Sequence, residues 1–248
     1  MNLTGLIGLG FVAFSAICLA IFAVAQHRAP FTFRKIPAFS RIQHSVRLLV
    51  ENGSRLHFSL GNASMLGTDG ASALVGLALL RRLGEITSLG DRPPIATTGN
   101  AVLNLLAQDT LRAAHNAVMP EDPFDMTNAR LTGFTPFSYA AGVMASTQKE
   151  NISSSVLIGN FGSEVGLLAE AASSQGVTVI SASDNLIAQA VLYVTSSDML
   201  VGEELFAAGA YNQAGSAHAA SLIVQDVLRW LIILALLAGA GLKLAGLL

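Results

Sequence analysis

Two uninterrupted apolar runs bracket the chain. Residues 3–25 contain no charge, and residues 228–248 carry only Arg229 and Lys243. Each run reaches the roughly 20 residues a helix needs to cross a ~30 Å hydrocarbon core. The pattern therefore predicts a transmembrane helix over 3–25. It also predicts a long helix over 216–248 that ends in a second span, since nothing from Ser216 to Ala238 would break it. Between the runs, short apolar or β-branched stretches alternate with longer amphipathic ones. Strands are expected at 55–60, 94–98, 129–134, 156–159, 177–181 and 190–195, and helices at 68–83, 101–115, 136–147, 163–174 and 199–211. Ile42, Val46, Leu49 and Val50 add a helix ahead of the first strand. Such alternation implies βαβ units, hence an α/β, Rossmann-like parallel sheet over 44–215.

Charge gives the two spans a direction. All 16 acidic residues lie between Glu51 and Asp226. The segment 26–43 holds Arg28, Arg34, Lys35 and Arg41 with no acid among them. Arg229 and Trp230 flank the second span on its domain side. Basic residues close to a span are retained in the cytoplasm, so both termini are expected outside and the domain inside. Phe31 and Phe33, interleaved with the basic residues, suit a headgroup layer of anionic lipid. The alternative is a plain linker whose charges only set topology, and Pro30 and Pro37 argue against one long helix there. Ala23-Val24-Ala25 has the form of a signal-peptidase site, but no basic residue precedes the run and the run is too long for a signal core. The single cysteine, Cys18, lies in the first run and excludes an intrachain disulfide.

Candidate chemistry concentrates at predicted strand ends. Gly-Asn recurs as Gly61-Asn62, Gly99-Asn100 and Gly159-Asn160. In an open α/β sheet those ends line the ligand crevice, where glycine permits close backbone approach and asparagine both donates and accepts. Gly61, Asn62, Ser64, Thr98, Asn100, Asn160, Gly162 and Ser163 are the candidate ligand-binding residues, for an anionic or nucleotide-like small molecule at helix N-termini. The competing explanation is ordinary turn chemistry, with asparagine capping the next helix. Gly8-Leu9-Gly10-Phe11-Val12-Ala13 matches a dinucleotide fingerprint by accident, since it lies inside the uncharged run. The five histidines show no metal-ligand spacing and no Gly-x-Ser-x-Gly elbow exists. No catalytic residue, metal, cofactor or nucleic-acid partner is therefore expected.

Charged residues make up 12 % of the chain, against a typical ~25 %. The spans account for only part of that depletion. Permanent interfaces are poor in charge, which points to a homo-oligomer, for example a ring of domains on the membrane. Close packing of small residues within one domain is the rival explanation.

The stretches Ser45-Val46-Arg47-Leu48-Leu49-Val50-Glu51-Asn52-Gly53-Ser54-Arg55-Leu56-His57-Phe58-Ser59-Leu60-Gly61, Pro93-Pro94-Ile95-Ala96-Thr97-Thr98 and Leu106-Ala107-Gln108-Asp109 carry a resemblance. The chain resembles an uncharacterised family of prokaryotic membrane proteins, a domain of unknown function. That resemblance implies a prokaryotic membrane protein and supplies no reaction. The resulting expectation is a membrane-anchored scaffold that self-associates. The alternatives are a tethered small-molecule-binding module and an accessory subunit of a transport or secretion complex.

Overall fold

The computed structural model describes residues 3–28, 33–65, 67 and 69–246. Two compact units emerge, one formed by residues 35–214 and one by the chain's two ends. Among the described residues of the end unit, α1 (Leu3–Arg28) and α9 (Ser216–Leu244) are its helices, and they pack against one another. At 1.5 Å per residue they measure about 39 and 44 Å, so both are long enough to cross a bilayer. By composition both are also apolar enough to do so.

The 35–214 unit is α/β. Its elements are α2 (Pro37–Glu51), β1 (Arg55–Gly61), α3 (Gly70–Thr87), β2 (Ile95–Thr98), α4 (Ala101–Val118), β3 (Ala129–Leu131), α5 (Pro136–Thr147), β4 (Ile152–Asn160), α6 (Val165–Ser174), β5 (Thr178–Ser183), α7 (Leu186–Thr195), β6 (Asp198–Leu200) and α8 (Ala208–Tyr211). The six strands form one parallel sheet in the order β3-β2-β1-β4-β5-β6. This is the doubly wound order, in which the chain reverses direction across the sheet between β1 and β4.

Register sorts the strand residues onto two faces. His57 pairs with Ile95 and Ser155, and Phe58 with Ala96 and Val156. Leu56, Phe58 and Leu60 therefore share one face, which α3 covers closely at Gly76, where a Cβ would lie 2.6 Å from Leu60. Leu157 and Val179 lie on the other face, in a core with Tyr139, Val143, Val165, Leu168 and Leu192 from α5, α6 and α7. Burial of each such side chain stabilises the fold by roughly 1.5–3 kcal/mol.

Several elements depart from the sequence pattern, each for a physical reason. Residues 190–195 are not a strand but the second half of α7, which Asn185 caps by accepting from the Ile187 N–H. Its outward face is as apolar as its inward one, which erases the 3.6-residue period that marks a helix. Residues 199–211 are not one helix. Leu200 ends β6, Gly202 turns at φ +58°, a 3-10 segment follows over Gly202–Ala207, and only Ala208–Tyr211 is α-helical. The helix expected from Ile42 begins earlier, at Pro37, whose missing N–H has no intrahelical partner in the first turn; as the prolines imply, α1 and α2 are separate helices. β4 starts four residues early at Ile152, taking Ser153, Ser154 and Ser155 into the sheet, and β3 stops at Leu131. The helix expected from Thr68 begins at Gly70, and Thr68 itself lies outside the described residues.

Candidate functional site

The three Gly-Asn pairs meet at the carboxyl ends of β2, β1 and β4, and they interlock. The Asn62 N–H donates to the Asn160 carbonyl at 2.9 Å, and the Gly99 N–H donates to the Gly61 carbonyl at 2.9 Å, so the ladder continues past the strands. Gly61 sits at φ +70°, and a Cβ on it would lie 2.0 Å from the Asn160 carbonyl oxygen. A Cβ on Gly159 would lie 2.1 Å from the Leu60 carbonyl oxygen. Asn62 lays its side chain across Gly99, where a Cβ would overlap Oδ1 at 1.3 Å, and that buried oxygen has no hydrogen-bond partner. Glycine at 61 and 159 permits this close approach of neighbouring strand backbones.

The remaining side chains of the set do structural work. Asn100 caps α4, accepting from the N–H groups of Val102 and Leu103 at 2.9 and 3.2 Å. Thr98 is buried and donates weakly to the Asn100 carbonyl and to Asn104 Oδ1, at 3.4 Å each. Asn160 Nδ2 donates to Asp184 Oδ1 at 2.8 Å. Ser64 and Ser163 are exposed.

Carboxylates accept from backbone N–H groups in the turns ahead of α3 and α6. Asp69 accepts from the Ser64 N–H at 3.0 Å in the turn ahead of α3. Glu164, only 4 % exposed, reaches back to the Gly162 N–H at 2.8 Å ahead of α6. Their negative charge opposes the attraction that a helix N-terminus has for anions. Among the described residues, no group of three His, Cys, Asp or Glu side chains is placed to hold a metal.

The basic flank divides between the two units. Arg41 forms an ion pair with Asp198 at the start of β6, tying α2 to the sheet edge. Arg34 and Lys35 are exposed, and Phe33 is half-buried. Arg229 pairs with Asp226 at 3.3 Å, and Trp230 is exposed on α9. Phe31 and the Arg28 side chain lie outside the described residues.

Residues 4–247, nearly the whole chain, match the model of one family, the domain of unknown function DUF6754. The chain belongs to that family. No curated protein and no solved structure matches it.

In this DUF6754 chain the densest polar chemistry is a buried network that a linear reading does not assemble. His57, 4 % exposed in the central strand, bonds through Nδ1 to Ser155 Oγ at 2.8 Å and through Nε2 to Thr97 Oγ1 at 2.9 Å. Ser59, one pleat on, bonds to the hydroxyl of the fully buried Tyr139, which Thr97 and the Gly61 backbone also reach. Burial pushes the Tyr139 phenol up. Burial, helped by the Arg130 charge, lowers His57 from 6.5 to about 4, so the imidazole is neutral. A cavity of about 30 Å³ adjoins His57 and Ser155 beneath α5 and α6, room for about one water and for no substrate. The network locks strand register, because a one-residue slip would expose each of these groups to the apolar face.

A second cluster binds the opposite end of the sheet. Arg55 donates to the Pro93 carbonyl at 2.7 Å, to Asn128 Oδ1 at 2.6 Å, and to Glu150. Arg130 donates to the carbonyls of Thr127 and Ser146 at 2.9 Å each, and to Glu150 at 2.7 Å. Burial alone would raise the Glu150 carboxyl, but the bond from Arg130 and the charges of Arg55 and Arg130 hold it below the usual carboxylate range. Glu150→Gln leaves two guanidinium groups without their anion, and is expected to reduce stability by about 1–3 kcal/mol in a denaturant titration. An unchanged midpoint would show that solvent already compensates them. Alternation of His57 and Ser59 with Leu56, Phe58 and Leu60 was the one visible signal, and it named the residues without their partners.

Proposed function

We propose that this chain is a membrane-anchored scaffold subunit of a prokaryotic inner membrane. Its two apolar helices span the bilayer, and its Rossmann-like domain faces the cytoplasm and associates with copies of itself. The carrying observation is a pair of exposed apolar faces at opposite edges of one sheet. At the β6 edge, α7 turns Leu186, Ile187, Tyr193 and Val194 to solvent, with Tyr193 75 % and Val194 82 % exposed. These positions fall on one helical stripe. At the β3 edge lie Val102 and Leu105 on α4, together with Phe134, 74 % exposed, and Phe137.

Two different apolar edges on one subunit support heterologous, head-to-tail contacts, which close into a ring or extend as a filament. Spans that confine the domains to a plane would raise their effective concentration, so modest contacts suffice. The basic residues near α1 would meet anionic headgroups on the cytoplasmic leaflet. The small-molecule reading has less support, because Asp69 and Glu164 put negative charge in the turns that follow β1 and β4.

The test is the mass of the full chain in mild detergent, by light scattering. Wild type is expected as a multimer. Tyr193→Asp with Val194→Asp is expected to reduce it to a monomer with an unchanged melting curve, since both side chains are exposed. A monomeric wild type rejects self-association. A multimer that survives the double substitution removes α7 from the contact. Co-purification of a different protein through α7 would favour the accessory-subunit reading.

A further inference from the structure

A cavity of about 160 Å³ in the α/β unit is lined by basic and neutral polar side chains. It lies between α2, α3 and the turn after α8, lined by Gln43, Arg47, Arg82, Asn212 and Gln213 over an apolar floor. No carboxylate lines it among the described residues. Arg47 reaches it from α2 and forms no hydrogen bond or ion pair within the described residues. Arg82 reaches it from α3 and spends one donor on the Asn212 carbonyl, at 3.2 Å, and one on Glu85, at 3.3 Å. A guanidinium has five donors, so most of Arg82's capacity is left. Gln43 Nε2 is anchored on the Tyr211 carbonyl at 3.2 Å, which fixes a neutral amide beside the two cations. Gln213, also in the lining, holds φ +57°, a conformation uncommon outside glycine.

Arg47, on the exposed side, and Arg82, which keeps Glu85 beside it, both line this cavity, and an anion held there would be attracted by the two cations. A tetrahedral oxyanion offers three or more acceptor oxygens, enough to engage two planar forks approaching from different helices, where a carboxylate offers only two. We infer that this cavity binds a doubly charged phosphate group, either free phosphate or the phosphomonoester headgroup of a lipid. The volume fits that size: a cavity of about 150 Å³ holds a molecule as large as benzene, well short of a nucleotide. The inference does not depend on self-association.

The experiment uses the full chain. Inorganic phosphate is titrated calorimetrically into the detergent-solubilised protein. In parallel, nanodiscs of phosphatidylcholine with or without phosphatidic acid are examined by native mass spectrometry for retained lipid. Saturable binding of inorganic phosphate identifies a free-phosphate site. Retention of phosphatidic acid without inorganic phosphate binding identifies a headgroup site. In either case Arg47→Gln is expected to weaken binding by about tenfold or more, and Arg47→Glu to abolish it. Arg47 carries no structural bond, so both variants should melt as wild type does. Binding of neither probe, or equal binding by Arg47→Gln, overturns the inference.

Discussion

Acidifying the protein from pH 7.5 to 4 is expected to remove about 3 kcal/mol of stability through His57 alone. The imidazole titrates near 6.5 in the unfolded chain and near 4 when folded, a shift worth about 1.36 kcal/mol per pH unit. Between those values the unfolded state holds a proton that the folded state refuses. The contribution is therefore complete above pH 6.5, declines as pH falls toward 4, and changes no further below that. Folding into the sheet centre leaves the ring only hydroxyl partners, Ser155 and Thr97, and no carboxylate to support a positive charge. Denaturation midpoints measured across this window should fall for wild type and stay level for His57→Gln. Glu150 acts in a lower window: its carboxyl is held below the ordinary value, so its share is lost only as pH drops past that range. Parallel pH profiles for wild type and His57→Gln would show that His57 does not carry the effect.

The second large effect is steric. Gly61→Ala places a methyl 2.0 Å from the Asn160 carbonyl oxygen and must hold φ at +70°. The positive φ costs about 1 kcal/mol or somewhat more, and forcing two central strand ends apart adds roughly 1–3 kcal/mol. The combined loss of roughly 2–4 kcal/mol is a large part of the 5–15 kcal/mol that holds a typical domain folded. Gly176→Ala is the control, because φ is +75° there and nothing lies within 4 Å of an added Cβ. It should lose only the backbone share. Equal losses at the two positions would mean that β1 and β4 separate easily.

Much of the architecture was legible because it rests on local pattern. β1, β2 and α5 have solvent-facing or turn boundaries written in their own residues, such as Pro136 and the Thr135–Ser138 capping box. Failures came where both faces of an element were alike. α7 is apolar inside and out, and no periodicity separates such a helix from a buried strand. The 199–211 segment failed because an edge strand of three residues carries almost no pattern, and the partner that makes it a strand, β5, is eighteen residues earlier in the chain. The candidate site divided in the same way. Glycine and asparagine at strand ends were visible, and Asn100 is the helix cap its sequence position implies. That Gly61 abuts Asn160 depends on strands about a hundred residues apart becoming neighbours, whereas the bond from the Gly162 N–H to Glu164 is local.

The sequence by itself determined the two apolar helices, the α/β class and the parallel sheet, because hydropathy, helix period and βαβ alternation act over a few turns of chain. Only the tertiary structure decided what the polar residues do. It paired His57 with Ser155 and Thr97, brought glycine against carbonyl at the ends of β1 and β4, and placed Arg47 and Arg82 on one cavity. Hydrogen bonds and charges act over a few ångströms of space, and which groups come that close is settled by packing.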